Sequence, residues 1–316
     1  ELQDAELKIK KLLDDGSSAE ISKSYIKMLR DFMSQVREQV YSNIDKKIGN
    51  SNSVEEIMRY SAMAESKMIR AALVFASGKL NKNLSSKSLV NLSTSVELMH
   101  TYSLIHDDLP SMDNDDFRRG KESSHNKFGE ANAILAGDAL QSLSYEIICD
   151  DEGLTSDEKI AAIKLLASSC GKIGMVYGQY LDIKSESESI DEKLIENIHT
   201  LKTGKLIECS ILLGQLGNSK KNAKDAFKTF GKKIGLAFQI TDDILEATSD
   251  KETLGKDINS DLKNNKSTYI SVLGIKKAIE KSKNLTLSAI SDLEALNSKD
   301  NNILIELAKY ISYREN

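Results

Sequence analysis

The sequence has almost no proline and is short of glycine. Pro110 is its only proline among 316 residues, where average usage of about 5% would give roughly 16. The 17 glycines are also fewer than the roughly 22 expected at about 7%. Because these two residues form most tight turns, their shortage excludes a β-sandwich or β-barrel with many short loops. The composition therefore favours long helices.

Other shortages narrow the class of protein. The three cysteines, Cys149, Cys170 and Cys209, are too far apart for a disulfide scaffold or a zinc motif, and there is no tryptophan. The net charge is −5 and no long basic run occurs, so a nucleic-acid partner is not expected. No apolar run approaches the roughly 18 to 20 residues of a membrane span, so none is expected. We expect a cytoplasmic protein, although the chain begins at Glu1 and a targeting peptide upstream stays an open alternative.

Apolar residues recur at helical spacing along most of the chain. Steps of three and four residues form one stripe, made of Phe227, Phe230, Ile234, Phe238, Thr241 and Leu245. Sustained alternation typical of strands is absent from the sequence, so the prediction is an all-α protein. Similar stripes lie near 22–48, 86–107, 129–149, 158–183, 190–215, 265–280 and 301–313. Residues 1–20 are predicted to form a polar extension, and 21–316 one large helical domain.

Two acidic segments depart from the helical pattern, and the first follows an apolar helix directly. Five aspartates fall within residues 107–116, and Pro110 interrupts them. Asp107 and Asp113 are six residues apart, about 240° around an ideal helix, so they would not share a face. Leu109 precedes the proline and is pushed out of helical geometry, which predicts that Asp113 turns back towards Asp107.

The second acidic segment, residues 242–246, lies at the C-terminal end of the same stripe, where carboxylates replace apolar side chains. Asp242 and Glu246 are four residues apart and share that face, and Asp243 lies beside them. Carboxylates in such places repel one another and lose hydration, which a divalent cation would offset. Mg²⁺ prefers oxygen ligands shared with substrate phosphates, so the two segments predict a magnesium–diphosphate site. A pair of solvated acidic turns is the alternative. A calcium loop is disfavoured because the first segment lacks its glycine and distal glutamate.

Cations accompany both segments and would suit a diphosphate, since arginine offers forked donors and lysine a point charge. Each of them alone is also typical of a solvated surface. They are Arg118 and Arg119 after the first segment, Lys202 in a Lys-Thr-Gly turn, Lys256 and Lys266 after the second, and the pair Lys67 and Arg70.

These residues resemble the short-chain trans-prenyl diphosphate synthases, most closely the bacterial type that makes farnesyl diphosphate. The likeness covers about residues 25 to 316. The motifs that carry it are Val96–Asp116, Arg118–Lys121, Phe128–Leu140, Gly174–Asp182, Lys202–Gly204, Gly235–Asp243, Leu254–Lys256 and Asn265–Tyr269. The resemblance implies a single-domain orthogonal helical bundle around a deep central cavity, which makes 21–316 a polyprenyl synthase domain.

The resemblance also implies the reaction, a head-to-tail condensation of isopentenyl diphosphate with dimethylallyl or geranyl diphosphate. Three Mg²⁺ ions, with Mn²⁺ as the alternative, would ionise the allylic substrate. It implies Asp107, Asp113, Asp242 and Asp243 as metal ligands, with Arg118, Lys202 and Lys256 on the diphosphate and Thr203 and Gln239 facing the allylic cation. A second, metal-free pocket of Lys67, Arg70, His100 and Arg119 would hold isopentenyl diphosphate, and Lys266 is a further substrate-binding candidate. The released diphosphate would take the proton, so no protein base is implied.

Product length is expected to depend on the helix before Asp107. Tyr102 lies five residues earlier, about 7.5 Å down the axis, where its ring can reach across the cavity. Ser103 is too small to do so. In the resembling family a bulky aromatic at this level accompanies a fifteen-carbon product, so farnesyl diphosphate is predicted and geranylgeranyl diphosphate is the alternative. An ordinary core position is the other interpretation of Tyr102.

Three departures from the family pattern are visible. Glu65 and Ser66 replace the two glycines before Lys67, and Ala71 replaces the proline after Arg70. The glycines normally let backbone approach phosphate, and Glu65 places an anion beside an anion site. Glu246 stands where aspartate is usual, and Tyr177 where bacterial relatives often have glycine.

Two other functions stay open. A class I terpene cyclase shares the helical body and an acidic motif, but needs no pocket of the Lys67 and Arg70 type. A non-catalytic synthase subunit usually loses an acidic segment, and both are kept here. By the resemblance we also expect a homodimer.

Overall fold

The computed structural model describes residues 19–186, 190–249, 268–296 and 302–313. It is 79% helical, which confirms the all-α prediction. The helices are α1 (Ala19–Ile48), α2 (Ser53–Ala62), α3 (Ile69–Asn81), α4 (Ser86–Asp107), α5 (Ser124–Phe128), α6 (Glu130–Cys149), α7 (Ser156–Cys170), α8 (Met175–Lys184), α9 (Glu192–His199), α10 (Lys205–Gly214), α11 (Lys221–Ser249), α12 (Tyr269–Leu273), α13 (Ile275–Glu294) and α14 (Asn302–Tyr313). A π-helical turn spans Thr200–Gly204, and two short strands, β1 (Phe117–Arg118) and β2 (Lys121–Glu122), form a hairpin.

Local chemistry explains several helix boundaries. Asn52 begins α2, because its side-chain oxygen accepts the backbone N–H groups of Val54 and Glu55, both at 3.0 Å. Thr268 and Ser271 form a reciprocal capping box at the start of α12. Gly274 ends α12 with a φ of 77°, a conformation that favours glycine.

Breaks divide two of the predicted helical stretches, and a third contains a π-helical turn. Residues 158–183 belong to two helices, α7 and α8, separated at 171–174. The stretch 190–215 contains the π-helical turn, and 265–280 is broken at Gly274. The apolar spacing continues across each break, so periodicity alone did not reveal them.

The chain divides into two compact units. The α4 unit comprises Gln35–Ser168 and Cys209–Ser219, and the α11 unit comprises the described parts of Glu1–Ser34, Ser169–Glu208 and Lys220–Asn316. Each unit is assembled from discontinuous segments of similar composition, which is why no compositional boundary marks the division. The predicted boundary between an extension (1–20) and a domain (21–316) stays a prediction, because residues 1–18 lie outside the described part of the chain.

In the α4 unit, α3 is buried on all sides. Ten consecutive residues from Ile69 to Gly78 are buried, as expected for a helix surrounded by protein. A side chain at Gly214 of α10 would come within 2.5 Å of the Val74 carbonyl oxygen, so only glycine permits this approach. The Ser77 hydroxyl donates to the Ile211 carbonyl at 2.7 Å and satisfies a buried acceptor.

In the α11 unit, the predicted apolar stripe of α11 forms core. Phe227, Phe230, Ile234 and Phe238 are buried, and the next position, Thr241, bonds the Ala237 carbonyl at 2.8 Å. The predicted face is therefore confirmed up to the acidic segment, where the helix changes from apolar to charged residues.

By length and composition alone, one described stretch could cross a membrane, 156–184. Only 33% of its most apolar 18 residues are buried. The stretch is not one straight helix, since α7 ends at Cys170 and α8 begins at Met175. The expectation that the chain has no membrane span stays a prediction.

Candidate active site

The first acidic segment turns back on itself after α4 ends. Beyond Pro110 the backbone N–H of Asp113 donates to the carbonyl of Asp107 at 2.8 Å, and Met112 bonds back to Leu109 at the same distance. This is the predicted return of Asp113 towards Asp107. Both aspartates are half-buried. The break at Pro110 therefore places two acids, which one continuous helix would have separated, at the same end of α4.

Arg118 is held by two further acids of this segment. Its Nε donates to Asp108 Oδ1 at 2.9 Å, and its Nη2 to Asp115 Oδ2 at 3.0 Å. Burial raises the pKa of Asp108, although the hydrogen bond and charge of Arg118 oppose the rise. Burial also disfavours the charged guanidinium of Arg118, but Asp108 outweighs this and the pKa of Arg118 is raised. The predicted diphosphate ligand is thus a fixed cation.

Arg119 lies in the tight turn of the β1–β2 hairpin. Arg118 pairs with Lys121, and the two residues between them have positive φ, 52° for Arg119 and 72° for Gly120. Two such residues are the requirement of a type I′ turn, whose twist matches that of the strands. The sequence analysis did not predict this hairpin. An Arg-Gly pair is a weak turn signal, and two-residue strands are too short to show alternation.

The predicted isopentenyl diphosphate residues Arg70, His100 and Arg119 come together in the α4 unit. Burial holds the pKa of His100 well below its usual range, and the charges of Arg70 and Arg119 lower it further. His100 is therefore neutral at pH 7, and can donate a hydrogen bond without adding charge. Lys67, the fourth member, is exposed in the loop before α3. The sequence analysis gave no role to Glu97, a buried acid beside this group.

The departure at Glu65 and Ser66 also lies in the α4 unit. Glu65 is exposed, and the Ser66 hydroxyl accepts the Met68 N–H at 3.0 Å. Met68 itself has a left-handed φ of 48°. The serine thus supports a strained loop, while the charge of Glu65 is screened by solvent.

Replacing both residues, Glu65→Gly with Ser66→Gly, is expected to lower KM for isopentenyl diphosphate about two- to threefold, because an exposed anion weakens anion binding only modestly. KM for the allylic substrate should change less. Steady-state kinetics with each substrate varied in turn would check this. Equal KM values in the variant and the parent would show that the departure has no effect on binding.

The second acidic segment lies on α11, and its two aspartates differ. Asp243 is 5% exposed, and both its oxygens accept protein donors. Gln239 Nε2 donates to Oδ1 at 3.1 Å, and the Tyr269 backbone N–H donates to Oδ2 at 2.8 Å. Asp242 is only half-buried and Glu246 is exposed. Asp242 therefore offers the more accessible carboxylate.

Lys202, Thr203 and Gln239 also come together in the α11 unit. Lys202 Nζ lies 2.7 Å from Asp182 Oδ2, and the Thr203 hydroxyl donates to Gln239 Oε1 at 2.7 Å. Both Lys202 and Thr203 belong to the π-helical turn, and such turns are frequent at functional sites. A Cβ atom at Gly178 of α8 would come within 2.3 Å of the backbone nitrogen of Lys202, so glycine is required there.

His199 and Tyr269, to which the sequence motifs gave no individual role, pack beside Asp243. The two rings are 5.2 Å apart, and His199 Nε2 is 3.8 Å from Asp243 Oδ2. Burial lowers the pKa of His199 to about 3, with Asp182 opposing and Lys202 adding to the effect. Burial likewise raises the pKa of Tyr269, whose hydroxyl donates to Glu196 Oε2 at 3.3 Å. Neither residue carries a spacing signal, because their contact joins distant parts of the chain.

The chain-length residues lie within α4. The Tyr102 ring packs edge-to-face on His106, with centroids 4.9 Å apart, and the Ser103 hydroxyl bonds the His100 carbonyl at 2.8 Å. His106 in turn lies 3.1 Å from the Ile134 carbonyl and fills the space left by Gly137. Lys256 and Lys266 lie outside the described residues, so their predicted roles stay predictions.

The donor atoms at the two acidic segments decide which metal ion could bind there. Within 19–186, 190–249, 268–296 and 302–313, no three carboxylate, imidazole or thiol groups form a ready-made metal cage. The donors at both acidic segments are nevertheless carboxylate oxygens, the ligand type that Mg²⁺ prefers. Mg²⁺ usually takes one or two carboxylates together with substrate phosphates, so the residues fit such an ion.

Comparison with known proteins defines the class. The polyprenyl synthetase family model matches residues 51–306, so the chain belongs to this family. It is a prenyltransferase of isoprenoid biosynthesis.

The alignments with individual relatives cover most of the chain. It is 43% identical to the farnesyl diphosphate synthase of Escherichia coli (strain K12) over 83% of this chain and 89% of that protein. It is 41% identical to the chloroplastic geranylgeranyl pyrophosphate synthase of Capsicum annuum, over 83% of this chain and 72% of the relative. A solved geranyltransferase from Helicobacter pylori, complexed with magnesium and isoprenyl diphosphate, matches with a TM-score of 0.77 and 30% identity, covering 89% of this chain and 95% of the other.

Proposed function

We propose that the protein condenses isopentenyl diphosphate with dimethylallyl and geranyl diphosphate to give farnesyl diphosphate. The observation that carries the proposal is the grouping of Lys202, Thr203, Gln239 and Asp243 by hydrogen bonds and the π-helical turn. The family resemblance assigns Lys202 to the allylic diphosphate, Thr203 and Gln239 to the allylic cation, and Asp243 to a metal ion. The sequence relationship to the farnesyl diphosphate synthase of Escherichia coli supports the choice of product.

Metal ions are part of the proposal, and the carboxylates that would hold them are identifiable. Asp107 and Asp113 in the α4 unit and Asp242 in the α11 unit are the accessible candidates. Asp243 was predicted as a further ligand, and to bind metal it would have to exchange the N–H of Tyr269 or the amide of Gln239. When bound, Mg²⁺ neutralises negative charge on the leaving diphosphate.

The chain's own residues supply the remaining chemistry. The resemblance assigns both Lys202 and Arg118 to the departing diphosphate, and positive charge on a group that becomes more negative stabilises the transition state more than the bound substrate. Thr203 and Gln239 present oxygens to the allylic cation. Arg70, His100 and Arg119 would hold isopentenyl diphosphate by its diphosphate, and holding a substrate in place converts an encounter of two molecules into a positioned reaction.

Incubation with Mg²⁺, isopentenyl diphosphate and each allylic diphosphate, followed by product chromatography, tests the function. We expect condensation to stop mainly at fifteen carbons, and to require all three components. Cyclised hydrocarbons without chain elongation would instead identify a terpene cyclase. Absence of turnover in the correctly folded protein would favour a non-catalytic subunit.

Geranylgeranyl diphosphate is the second candidate product. The plant relative at 41% identity makes a product of that class according to its name, so overall similarity does not separate the two. A main product of twenty carbons in the same assay would replace the farnesyl assignment and leave the rest of the proposal unchanged.

A homodimer is also proposed, and α6 and α7 provide apolar surface for it. Leu135 of α6 is 55% exposed, with Ile134 beside it and Ile160 on α7 also exposed. Leu135→Asp is expected to convert a dimer to a monomer, because burying an unpaired charge at an interface is unfavourable. Light scattering at micromolar concentration measures the mass.

Leu287→Asp is the matched control, since Leu287 on α13 is 51% exposed and should not affect assembly. A monomeric parent protein would contradict the homodimer, and an unchanged dimer in Leu135→Asp would place the interface elsewhere.

A cytoplasmic location for the protein is also proposed, and it rests on the sequence alone.

A further inference from the structure

Glu97 is a buried acid beside the cations assigned to isopentenyl diphosphate. It lies on α4, three residues before His100, and is 4% exposed. A carboxylate in such a place loses its hydration, so it needs compensating partners. Burial raises the pKa of Glu97, and the opposing influences are the charge of Arg70, the N–H of Ala71 and the charge of Arg119.

The first turn of α3 needs an acceptor that its own cap residue does not provide. Met68 stands at the N-cap with a φ of 48° and makes no side-chain cap bond. The N–H groups of a first turn have no partner within their helix. Glu97 Oε1 accepts the Ala71 N–H at 2.9 Å, from 26 residues along the chain. The carboxylate therefore acts as the cap of α3, and its charge suits a helix N-terminus.

Arg70 belongs to the turn that Glu97 caps. The guanidinium therefore depends on Glu97 through the backbone that carries it and through charge. Ala71, where the resembling family has proline, supplies the N–H that proline lacks. In this chain a hydrogen bond fixes the start of α3, whereas the resembling family has the rigid ring of a proline at that position.

We propose that Glu97 is a positioning residue for isopentenyl diphosphate, which fixes Arg70 through the first turn of α3 and draws Arg119 towards it. The inference rests on the proposed function of the same site. Without the carboxylate, Arg70 and Arg119 lose the negative charge that both face before the substrate arrives. Binding must then reassemble them, so affinity for isopentenyl diphosphate falls while the allylic site is unaffected.

Glu97→Gln and Glu97→Ala test the proposal. Glutamine keeps an acceptor for the Ala71 N–H but removes the charge, whereas alanine removes both. We expect KM for isopentenyl diphosphate to rise about tenfold in Glu97→Gln and further in Glu97→Ala, since breaking a buried charged contact weakens binding strongly. KM for geranyl diphosphate should stay within about twofold, because neither Glu97 nor the two arginines it faces are assigned to the allylic substrate.

Asp151→Asn is the matched control for loss of a buried carboxylate bound to α4. Asp151 accepts the Ser88 hydroxyl at 2.9 Å and the Asn91 amide at 2.8 Å near the other end of that helix. This variant should lower the thermal midpoint as the Glu97 variants do, with both KM values unchanged.

The results distinguish a failure of the proposed function from a failure of the positioning role of Glu97. A parent enzyme without condensation activity contradicts the proposed function itself. With an active parent, an unchanged KM for isopentenyl diphosphate in Glu97→Gln, or a parallel rise in both KM values, overturns the positioning role. Glu97→Gln has nearly the shape of the parent, so the comparison survives even if Glu97→Ala does not fold.

Discussion

Replacing Asp107 or Asp242 by alanine is expected to lower turnover by roughly two to four orders of magnitude. Each change removes a carboxylate proposed to hold Mg²⁺, and with it charge stabilisation of the ionising step. Both side chains are half-buried, so stability should change by less than about 1 kcal/mol. Single-turnover kinetics with saturating Mg²⁺, together with thermal unfolding, would separate chemistry from folding.

Asp150→Ala is the control for these variants, because Asp150 is an exposed acid at the end of α6 outside the proposed site. It should turn over normally. Near-normal activity in either Asp107→Ala or Asp242→Ala would overturn the metal assignment for that segment. Partial recovery at high Mg²⁺ would instead support it, since a weakened site fills at higher ion concentration.

Truncating Tyr102 to alanine is expected to shift the main product from fifteen carbons to twenty or more. The ring is buried in α4 and packs on His106, so its removal leaves a void of ring size along that helix. The loss of packing should also lower the free energy of unfolding by about 3 kcal/mol. Chromatography of products formed at equal substrate ratios would measure the shift.

Tyr102→Phe is the matched variant, because it keeps the ring and removes only the hydroxyl. Its product should remain at fifteen carbons. If Tyr102→Ala also gives an unchanged product distribution, another side chain limits chain length, and Tyr102 is an ordinary core residue.

Helical architecture was predictable because apolar spacing is a local signal. The stripe of α11 and the limits of α4, 86–107, follow directly from residues three and four apart. The break between α12 and α13 was not predictable in the same way, since it depends on a single glycine with positive φ. Division into two units was beyond the sequence, because segments distant in the chain combine in each unit.

The site was predictable where motif residues lie close in sequence. The return of Asp113 to Asp107 follows from one proline between them. Thr203 and Gln239 are 36 residues apart, and only the family resemblance predicted that both face the same substrate. Glu97 was visible as a residue but not as a cap, because its partner lies 26 residues away. Partners of buried charges are a property of packing, which the linear order of residues does not record.

The hydrogen bonds from Thr203 to Tyr269 have a direction. Thr203 donates to the Gln239 oxygen, the Gln239 nitrogen donates to Asp243, and Tyr269 donates to Asp243 from the other side. The Thr203 hydroxyl could also accept, but the Asp243 carboxylate can only accept, so a half turn of the Gln239 amide would set its oxygen against a carboxylate oxygen. Asparagine at 243, nearly identical in shape, would keep an oxygen for the Tyr269 N–H only by turning its NH₂ towards Gln239, and the amide would then reverse. The charge at position 243 therefore decides whether Gln239 turns its oxygen or its nitrogen towards Thr203, which size and volume alone do not.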